Sequence, residues 1–298
     1  MKNSKKILSS ILLIIAVCCL AAVLILAVRR FTDDLHSQKT LDELRSSAEA
    51  QKEETGNPLQ TEEPSSESVP TGTPEPEETP GTTSEPAETP QPTPAPVVNP
   101  YRDSFLANSD MVAWLQIPDT VIDYPVMWTP DDEEYYLYRD FDGSDNKNGC
   151  LILDTDSNLN PLTTNLIIHG HNMKSGAMFG KLTDYEDEAY YQEHKNIILY
   201  TEECQRNYEV IAVFRSQVYR KTDDVFKFYK FFQADTREEF DDFYDNIKKL
   251  SLYDTGVTAE FGDHFITLST CVYHVEQGRF VVVAKEVESG DSYLPIQE

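Results

Sequence analysis

The sequence predicts a mainly β fold for residues 101–298: a closed or nearly closed barrel of about eight strands with helices on its outside. Two observations lead to this fold class. Eight short apolar runs follow one another, separated by residues that favour turns, whereas only two or three segments show helical spacing. A barrel suits many short strands because closing the sheet removes its exposed edges.

The strands are predicted from the apolar runs, and the helices from spacing and capping signals. In chain order, the strands cover residues 112–117, 122–127, 150–153, 166–169, 197–200, 209–214, 265–268 and 280–283. A short helix is predicted over residues 102–107 and a weaker one over residues 189–194. The clearest helix begins at a capping box formed by Thr236 and Glu239. Its apolar residues follow at helical spacing: Phe240, Phe243, Ile247 and Leu250.

The amino terminus carries a membrane-spanning pattern. Residues 7–28 contain no charged residue, and a helix of this length can cross a bilayer core of about 30 Å. Lysines precede the run, while Arg29 and Arg30 follow it. The run is too long for a signal peptide and lacks a small-residue cleavage site. We therefore expect residues 1–30 to form a cytoplasmic leader and an uncleaved signal anchor, with a buried core helix as the alternative.

Residues 31–100 are predicted to be an acidic extracellular linker. They carry fifteen acidic residues against three basic ones, and residues 58–100 contain twelve of the seventeen prolines. Such a composition cannot bury a core and favours extended, solvated backbone. We expect a disordered, Pro-rich stalk that lifts the folded part off the membrane. Residues 35–54 show a weak helical pattern, which fits a frayed helix as well as a dimerising one.

The charge of the chain excludes several classes of partner. The formal net charge is −27, and residues 101–298 alone carry thirty-seven acidic against seventeen basic residues. Nucleic acid is not expected as a partner because its binding requires a Lys/Arg footprint. An anionic membrane surface is disfavoured for the same reason. A cationic amine is compatible with this charge.

The cysteines point to one reactive thiol. Five are present, of which two lie in the apolar run as filler, leaving Cys150, Cys204 and Cys271. An odd number leaves at least one thiol unpaired, and the pairing of Cys150 with Cys204 stays open. Cys271 ends a predicted strand beside the polar Ser269 and Thr270 and precedes a short loop. These features favour a nucleophile over a buried small hydrophobe.

Arg279 is the candidate for stabilising negative charge during catalysis. It begins the strand after Cys271, and the short loop between them should bring the two residues face to face. A guanidinium in this position could stabilise an oxyanion. The alternative is a surface arginine paired with Glu276.

Three histidines compete for the proton-transfer role: His169, His171 and His274. His171 lies just beyond a predicted strand, His169 lies within it, and His274 shares a loop with Cys271. His169, His171 and Cys271 could instead form a zinc site. No carboxylate or further cysteine falls at ligand spacing nearby in the sequence, so neither a metal nor a cofactor is expected.

These motifs resemble the sortases, the cysteine transpeptidases of Gram-positive cell walls, and in particular class B. The resemblance rests on residues 267–271 (Thr-Leu-Ser-Thr-Cys) with Arg279, and on residues 165–171 (Asn-Leu-Ile-Ile-His-Gly-His). Residues 108–126 and 135–137 belong to the same pattern, which covers about residues 105–287. The resemblance implies an eight-stranded sortase-type barrel, with residues 101–298 as the catalytic domain.

The resemblance also implies roles for individual residues. Cys271 would be the nucleophile, His171 the proton-transfer group and Arg279 the oxyanion stabiliser. Ser269 and Leu137 would line the site. We further expect the backbone N–H of Val272 to assist at the oxyanion.

The sequence departs from the family pattern at two positions. Glu133 replaces a frequent asparagine, and His169 replaces a usual tyrosine. Both departures concern the specificity for the peptide rather than the chemistry.

The implied function is acyl transfer outside the cell membrane. The enzyme would cleave a carboxy-terminal sorting signal of a secreted protein after a threonine, through a thioacyl intermediate, and transfer the protein to a peptidoglycan amine. It would be a single-pass membrane protein with a cytoplasmic amino terminus. The alternatives are a pilin-polymerising transpeptidase, a simple cysteine hydrolase and a non-catalytic membrane-anchored binding module.

Overall fold

Eight strands close into a barrel in the computed structural model, which describes residues 2–54 and 97–296. The strands are β1 (Met111–Gln116), β2 (Asp123–Met127), β3 (Leu151–Leu153), β4 (Asn165–Gly170), β5 (Asn196–Thr201), β6 (Cys204–Gln217), β7 (Phe265–Cys271) and β8 (Gly278–Ser292). The helices are α1 (Lys2–Glu54), α2 (Arg102–Ala107), α3 (Glu188–Glu193) and α4 (Arg237–Leu250). The prediction of a mainly β, eight-stranded barrel with helices outside it is confirmed.

The order of the strands brings two strand ends to one rim of the barrel. Around the barrel the order is β1, β2, β3, β4, β7, β8, β6 and β5, with β5 closing onto β1. Two pairs are parallel, β2 with β3 and β4 with β7, and the others are antiparallel. Because β4 and β7 run in the same direction, the residues that follow both strands emerge at the same rim.

Alternating side chains of the strands build two apolar layers. The inner layer fills the barrel and includes the fully buried Ile168, Leu268 and Val282. The outer layer lies between the barrel wall and α4. It consists of buried residues from both sides: Phe240, Phe243 and Ile247 of α4 against Phe214, Phe265, Val281 and Val283. Helix α4 therefore packs on the outer face of strands β6, β7 and β8.

Strands β6 and β8 are longer than their predicted apolar runs of residues 209–214 and 280–283. They contain fourteen and fifteen residues and pair with each other from Cys204 opposite Ser292 to Gln217 opposite Gly278. Backbone pairing extends through their polar ends because ladder hydrogen bonds do not depend on apolar side chains.

The amino-terminal helix departs from the predicted division of the chain. Helix α1 is continuous, and its residues Leu13–Glu53 are long and apolar enough to cross a membrane. The residues after the apolar run pack on the barrel, where Leu41 and Ala48 are buried. Arg45 pairs with Asp123 at 3.1 Å. Residues 31–54, predicted as the first part of the linker, thus form a helix that contacts the barrel.

The predicted Pro-rich stalk lies largely in residues 55–96, outside the described residues. The chain on each side of this segment contacts the barrel region. Before it, the Lys52 Nζ atom lies 5.2 Å from the centre of the Tyr101 ring. After it, Asn99 Nδ2 donates a hydrogen bond to the Thr201 carbonyl at 2.9 Å. The segment thus connects two parts of one folded unit instead of separating the barrel from the apolar helix.

Candidate active site

The hairpin of β7 and β8 brings Cys271 and Arg279 together. Cys271 is the last residue of β7 and Arg279 the second of β8, and they are direct partners in the antiparallel ladder. The side chains of such partners leave the same face of a sheet, with Cβ atoms about 4.5–5.5 Å apart. Cys271 is exposed and Arg279 is half-buried. The expectation that the two residues face each other across the hairpin is confirmed.

The parallel neighbour β4 adds an imidazole to the same rim. Gly170, the last residue of β4, lies opposite Thr270, the residue before Cys271. His171 follows at once and therefore lies at the level of Cys271. The Nδ2 of Asn172 donates to the Cys271 carbonyl oxygen at 2.9 Å, which ties the two strand ends together. A thiol, an imidazole and a guanidinium thus share one rim of the barrel.

Gly170 is required for this arrangement. A Cβ atom at residue 170 would lie 2.5 Å from Leu151 Cδ2 and 2.7 Å from Phe179 Cδ2. Both contacts are too short for carbon atoms, which approach to about 3.5 Å. The glycine before His171 therefore lets the end of β4 pack tightly against Leu151 and Phe179, directly before the residue that carries the imidazole.

A backbone carbonyl sets the orientation of the His171 ring. The Nε2 of His171 lies 2.8 Å from the Leu137 carbonyl oxygen, and the Tyr138 ring lies 5.4 Å from the imidazole, centre to centre. A carbonyl oxygen only accepts, so Nε2 carries the hydrogen of this bond. In the neutral imidazole, Nδ1 is then the nitrogen that can take up a proton. Leu137 was expected to line the site, and sequence reasoning missed this contact of its carbonyl with His171.

A tight turn holds the Leu137 carbonyl in place. Leu137 lies in the one-turn 3-10 helix Tyr135–Tyr138, whose Tyr136 carbonyl accepts from the Cys150 N–H at 2.9 Å. Gly149 adopts a φ of +61° against this helix. A Cβ at residue 149 would lie 2.6 Å from the Leu137 carbonyl carbon and closer to its oxygen. The turn therefore needs glycine for both its backbone conformation and its space.

The other two histidines have different surroundings. The Nε2 of His169 lies 3.1 Å from Asp154 Oδ2, so this ring is engaged by a carboxylate. His274 is exposed in the loop between β7 and β8, and its ring lies over Gly278. The β4–β7 register places His169 opposite Ser269, two residues before Cys271. His171 is therefore the histidine that the register brings level with the thiol.

A cleft of about 240 Å³ opens beside the hairpin. Its lining includes two predicted site residues, Ser269 and Arg279, together with Glu133, Asp154 and His169. The Ser269 side chain is buried, and its Oγ has no hydrogen-bond partner among the described residues. Burial and, secondarily, the neighbouring Asp154 charge raise the pKa of Glu133. The cleft therefore combines an unsatisfied hydroxyl with closely spaced carboxylates.

The described residues contain one group of side chains that could share a metal ion, formed by Glu133, Asp154 and His169. The zinc site considered from the sequence, with His169, His171 and Cys271 as ligands, is a different group that shares only His169 with this one. The fold supplies the carboxylates that were missing near His169 in the sequence. Asp154 is fifteen residues away and follows directly after β3, the strand next to β4, so no local spacing rule would have found it.

Val272 does not offer the free donor expected from the sequence. Its backbone N–H donates to the Gly278 carbonyl oxygen at 3.0 Å and closes the loop between β7 and β8. An oxyanion could use this N–H only if that bond opened. The Nη1 of Arg279 donates to the Gly278 carbonyl at 3.1 Å and to the Gln277 carbonyl at 3.3 Å, so this side chain is held against the same loop.

Cys271 is the exposed thiol of the barrel. Cys150 and Cys204 are both buried and both free, so these two do not form a disulfide. Burial also raises the pKa of the Cys150 thiol, which disfavours the reactive thiolate. The geometry thus separates one accessible thiol from two structural ones.

Sequence comparison relates this arrangement to known proteins. Residues 115–287 match the sortase domain family. The chain is 36% identical over 188 residues to sortase B of Listeria monocytogenes, which covers 62% of this chain and 73% of that protein. It is 28% identical over 186 residues to sortase B of Staphylococcus aureus, covering 61% of this chain and 72% of that protein.

Solved structures show the same fold. A substrate complex of Staphylococcus aureus sortase B aligns with a TM-score of 0.57 at 27% identity, covering 64% of this chain and 86% of that one. Sortase B of Bacillus anthracis, in complex with AAEK1, aligns with a TM-score of 0.54 at 31% identity, covering 63% and 84%. Since the family match extends over more than half of the chain, the protein belongs to the sortases, and its similarity to sortase B identifies it as a class B member.

Proposed function

We propose that this cysteine transpeptidase is held at the outer face of the cell membrane and cleaves a carboxy-terminal sorting signal after a threonine. It then transfers the protein to an amine of the peptidoglycan. The observation that carries the proposal is the shared rim, where an exposed Cys271 faces Arg279 and lies level with an oriented His171. These groups supply a nucleophile, an oxyanion stabiliser and a proton carrier.

The first half-reaction breaks the peptide bond after the threonine. The Cys271 thiolate adds to the threonine carbonyl carbon, and the negative charge that develops on its oxygen is stabilised by the Arg279 guanidinium. His171, protonated on both nitrogens, gives the Nδ1 proton to the leaving amine while Nε2–H stays bonded to the Leu137 carbonyl. The C–N bond breaks, the amine departs, and the threonine remains as a thioester on Cys271.

The second half-reaction forms the new amide bond. Neutral His171 accepts a proton at Nδ1 from the incoming amine, whose nitrogen attacks the thioester carbonyl. The C–S bond breaks, the thiolate is released, and the imidazolium is ready for the next cycle. Arg279 stabilises the same oxygen in both halves, because both pass through an oxyanion at one carbon.

Helix α1 suits an anchor that presents the barrel to membrane-held substrates. Its apolar portion can cross a bilayer, and basic residues at positions 2, 5 and 6 fit a cytoplasmic amino terminus. Among the described side chains of α1, Asp34 is the first with a hydrogen bond to the barrel domain, and its carboxylate accepts from Asn148 Nδ2 at 2.9 Å. Asp34 is six residues after Val28, a helix length of about 9 Å. The barrel would therefore lie close to the outer surface.

The test uses the full chain in detergent with labelled peptides of the Pro-x-Thr type. Mass spectrometry should detect a thioester on Cys271, and addition of a peptidoglycan-peptide amine should convert it into an amide. Cys271→Ala should form neither species. An unmodified Cys271 after incubation with every peptide in the set would contradict the proposal.

The alternative acceptor is the lysine amine of a pilin subunit. The acidic surface of the chain is compatible with either amine, so competition between a wall peptide and a pilin domain decides between them. A hydrolase would release the threonine-ended peptide at the same rate with or without an amine. A binding module would retain the peptide without forming a thioester.

A further inference from the structure

The cleft beside Cys271 contains three side chains with metal-binding atoms. One ligand atom each from His169, Asp154 and Glu133 lies within 4.8 Å of the others. The Nε2 of His169 and the Oδ2 of Asp154 are 3.1 Å apart. Two ligands of a tetrahedral zinc ion are about 3.3 Å apart, given metal–ligand bonds of about 2.0–2.1 Å. This pair therefore already has the spacing of zinc ligands, and Glu133 is near enough to become a third.

Regular structure holds these ligands. His169 belongs to β4 and lies opposite Ile152 of β3, and Asp154 follows directly after β3. The Asp154 and His169 side chains are only 13% and 24% exposed. The hydroxyl of Thr155 donates to Glu133 Oε2 at 3.4 Å. Little reorganisation is needed to close the three ligands on one ion, which favours binding.

Ser269 is a second and independent sign of a ligand. The residue is 1% exposed, it lines the same cleft, and its Oγ has no hydrogen-bond partner among the described residues. It is the direct neighbour of His169 in the β4–β7 ladder. Buried hydroxyls normally have a partner, because leaving one unpaired is costly. A water molecule bound to an ion at His169 would supply that partner.

We propose that Glu133, Asp154 and His169 bind one zinc ion in the cleft next to the nucleophile. Imidazole favours zinc over calcium and magnesium, which prefer all-oxygen ligands. Arg279 and Lys230 line the same cleft, and their charge opposes a general accumulation of cations. Binding therefore depends on the three ligands and their geometry rather than on the overall acidity of the chain.

The binding test uses the full chain in detergent, freed of metal with a chelator, in a Cys271→Ala background. This background is needed because the exposed thiol is itself a zinc ligand. Calorimetric titration with zinc chloride should give one site per chain, and calcium chloride should give none in the same concentration range. Asp154→Asn and Glu133→Gln keep the shapes of their side chains and should each weaken the affinity at least about tenfold.

The matched control is Asp156→Asn. Asp156 lines the same cleft and is acidic, but it is not one of the three ligands, and its side chain is 64% exposed. This variant should bind zinc within about twofold of the parent, a difference below the usual cost of losing a ligand contact. Circular dichroism without metal verifies that each variant is folded. If only one of Asp154→Asn and Glu133→Gln folds, that variant alone is compared with Asp156→Asn.

The proposal is overturned if the parent binds no zinc, or if the parent and a folded ligand variant bind zinc equally. An equal loss for Asp156→Asn would also overturn it, because acidity alone would then explain the affinity. A separate arm rests on the proposed function: zinc should inhibit peptide transfer by the chain that retains Cys271, and Asp154→Asn should raise the inhibitory concentration at least about tenfold. Absence of all transfer would contradict the proposed function and leave the calorimetric result standing.

Discussion

The turn behind Leu137 offers a way to disturb His171 without touching a reacting group. Gly149 has a φ of +61°, and a Cβ there would lie 2.6 Å from the Leu137 carbonyl carbon. In Gly149→Ala the peptide of Leu137 must therefore move by on the order of 1 Å to reach normal contact. That movement takes the carbonyl oxygen away from the His171 Nε2, to which it is now bonded at 2.8 Å.

The expected magnitude follows from two separate costs. An alanine held at positive φ costs about 1–2 kcal/mol of stability, which leaves a barrel of this size folded. The hydrogen bond to His171 would stretch beyond the useful limit of about 3.5 Å, releasing the ring from its orientation. A misplacement of about 1 Å in a catalytic group costs about a hundred-fold in rate. We therefore expect Gly149→Ala to form the Cys271 thioester about a hundred times more slowly.

The assay is single-turnover thioester formation followed by mass spectrometry, together with thermal unfolding of each variant. The matched control is Gly143→Ala. Gly143 also has a positive φ, +80°, but a Cβ there meets only the Tyr135 hydroxyl at 3.8 Å. Gly143→Ala should carry the cost of the positive φ without the backbone clash, and it should keep the rate. Equal rates for the two folded variants would refute the reasoning that the Leu137 carbonyl positions His171.

Three further predictions concern the thiols, the guanidinium and the amino-terminal helix. In the native protein a thiol-alkylating reagent should modify Cys271 and spare the buried Cys150 and Cys204. Mass mapping of the modified peptides verifies this pattern, and rapid modification of all three thiols would show that the barrel opens readily. Cys271→Ala should abolish thioester formation, whereas Arg279→Lys should retain a weak rate. Losing an oxyanion donor costs about 3–4 kcal/mol, which lowers the rate of thioester formation several hundred-fold. An equal loss of rate in both variants would contradict their different roles. Leu41→Ala should lower the free energy of unfolding by about 2 kcal/mol in denaturant titrations, since Leu41 is 8% exposed in the packed core; an unchanged value would mean that α1 does not stabilise the barrel.

The parts of the fold that depend on local rules could be predicted from the sequence. The capping box at Thr236 and Glu239 is present with both of its hydrogen bonds, and the helix begins at the next residue after Thr236. The short loop after Cys271 led directly to the prediction that Arg279 faces it, because antiparallel neighbours joined by a short loop have few possible registers.

The parts of the site that depend on contacts between distant segments could not be predicted. Asp154 reaches His169 because β3 pairs with β4, and no sequence pattern shows which strands will pair. The contact to His171 comes from the backbone carbonyl of Leu137, and every residue has such a carbonyl, so the residue type gives no signal for it. The engaged N–H of Val272 was missed for the same reason, because the loop geometry decides which carbonyl it meets.

The overall composition of residues 31–100 hides a difference between two segments, because it averages over both of them. Residues 31–54 contain all three basic residues of the predicted linker and no proline, whereas prolines begin at residue 58. A few side chains of residues 31–54 hold this part of α1 on the barrel domain. Ser37 donates to Asp140 at 2.8 Å, and Arg45 pairs with Asp123. A mostly exposed helix with one narrow contact face has only a weak apolar pattern.

The docking of α1 changes what the Pro-rich segment can contribute to the proposed activity. A stalk between the membrane and the barrel would set how far the active site reaches. Here the contacts of Leu41 and Arg45 precede residues 55–96, so the length of that segment does not enter the path from the apolar helix to Cys271. Under the proposed membrane anchoring, the reach would instead be limited by the helix length of about 9 Å between Val28 and the contact at Asp34. An active site held in this way would meet sorting signals where their own apolar tails leave the membrane, which raises their effective concentration at Cys271.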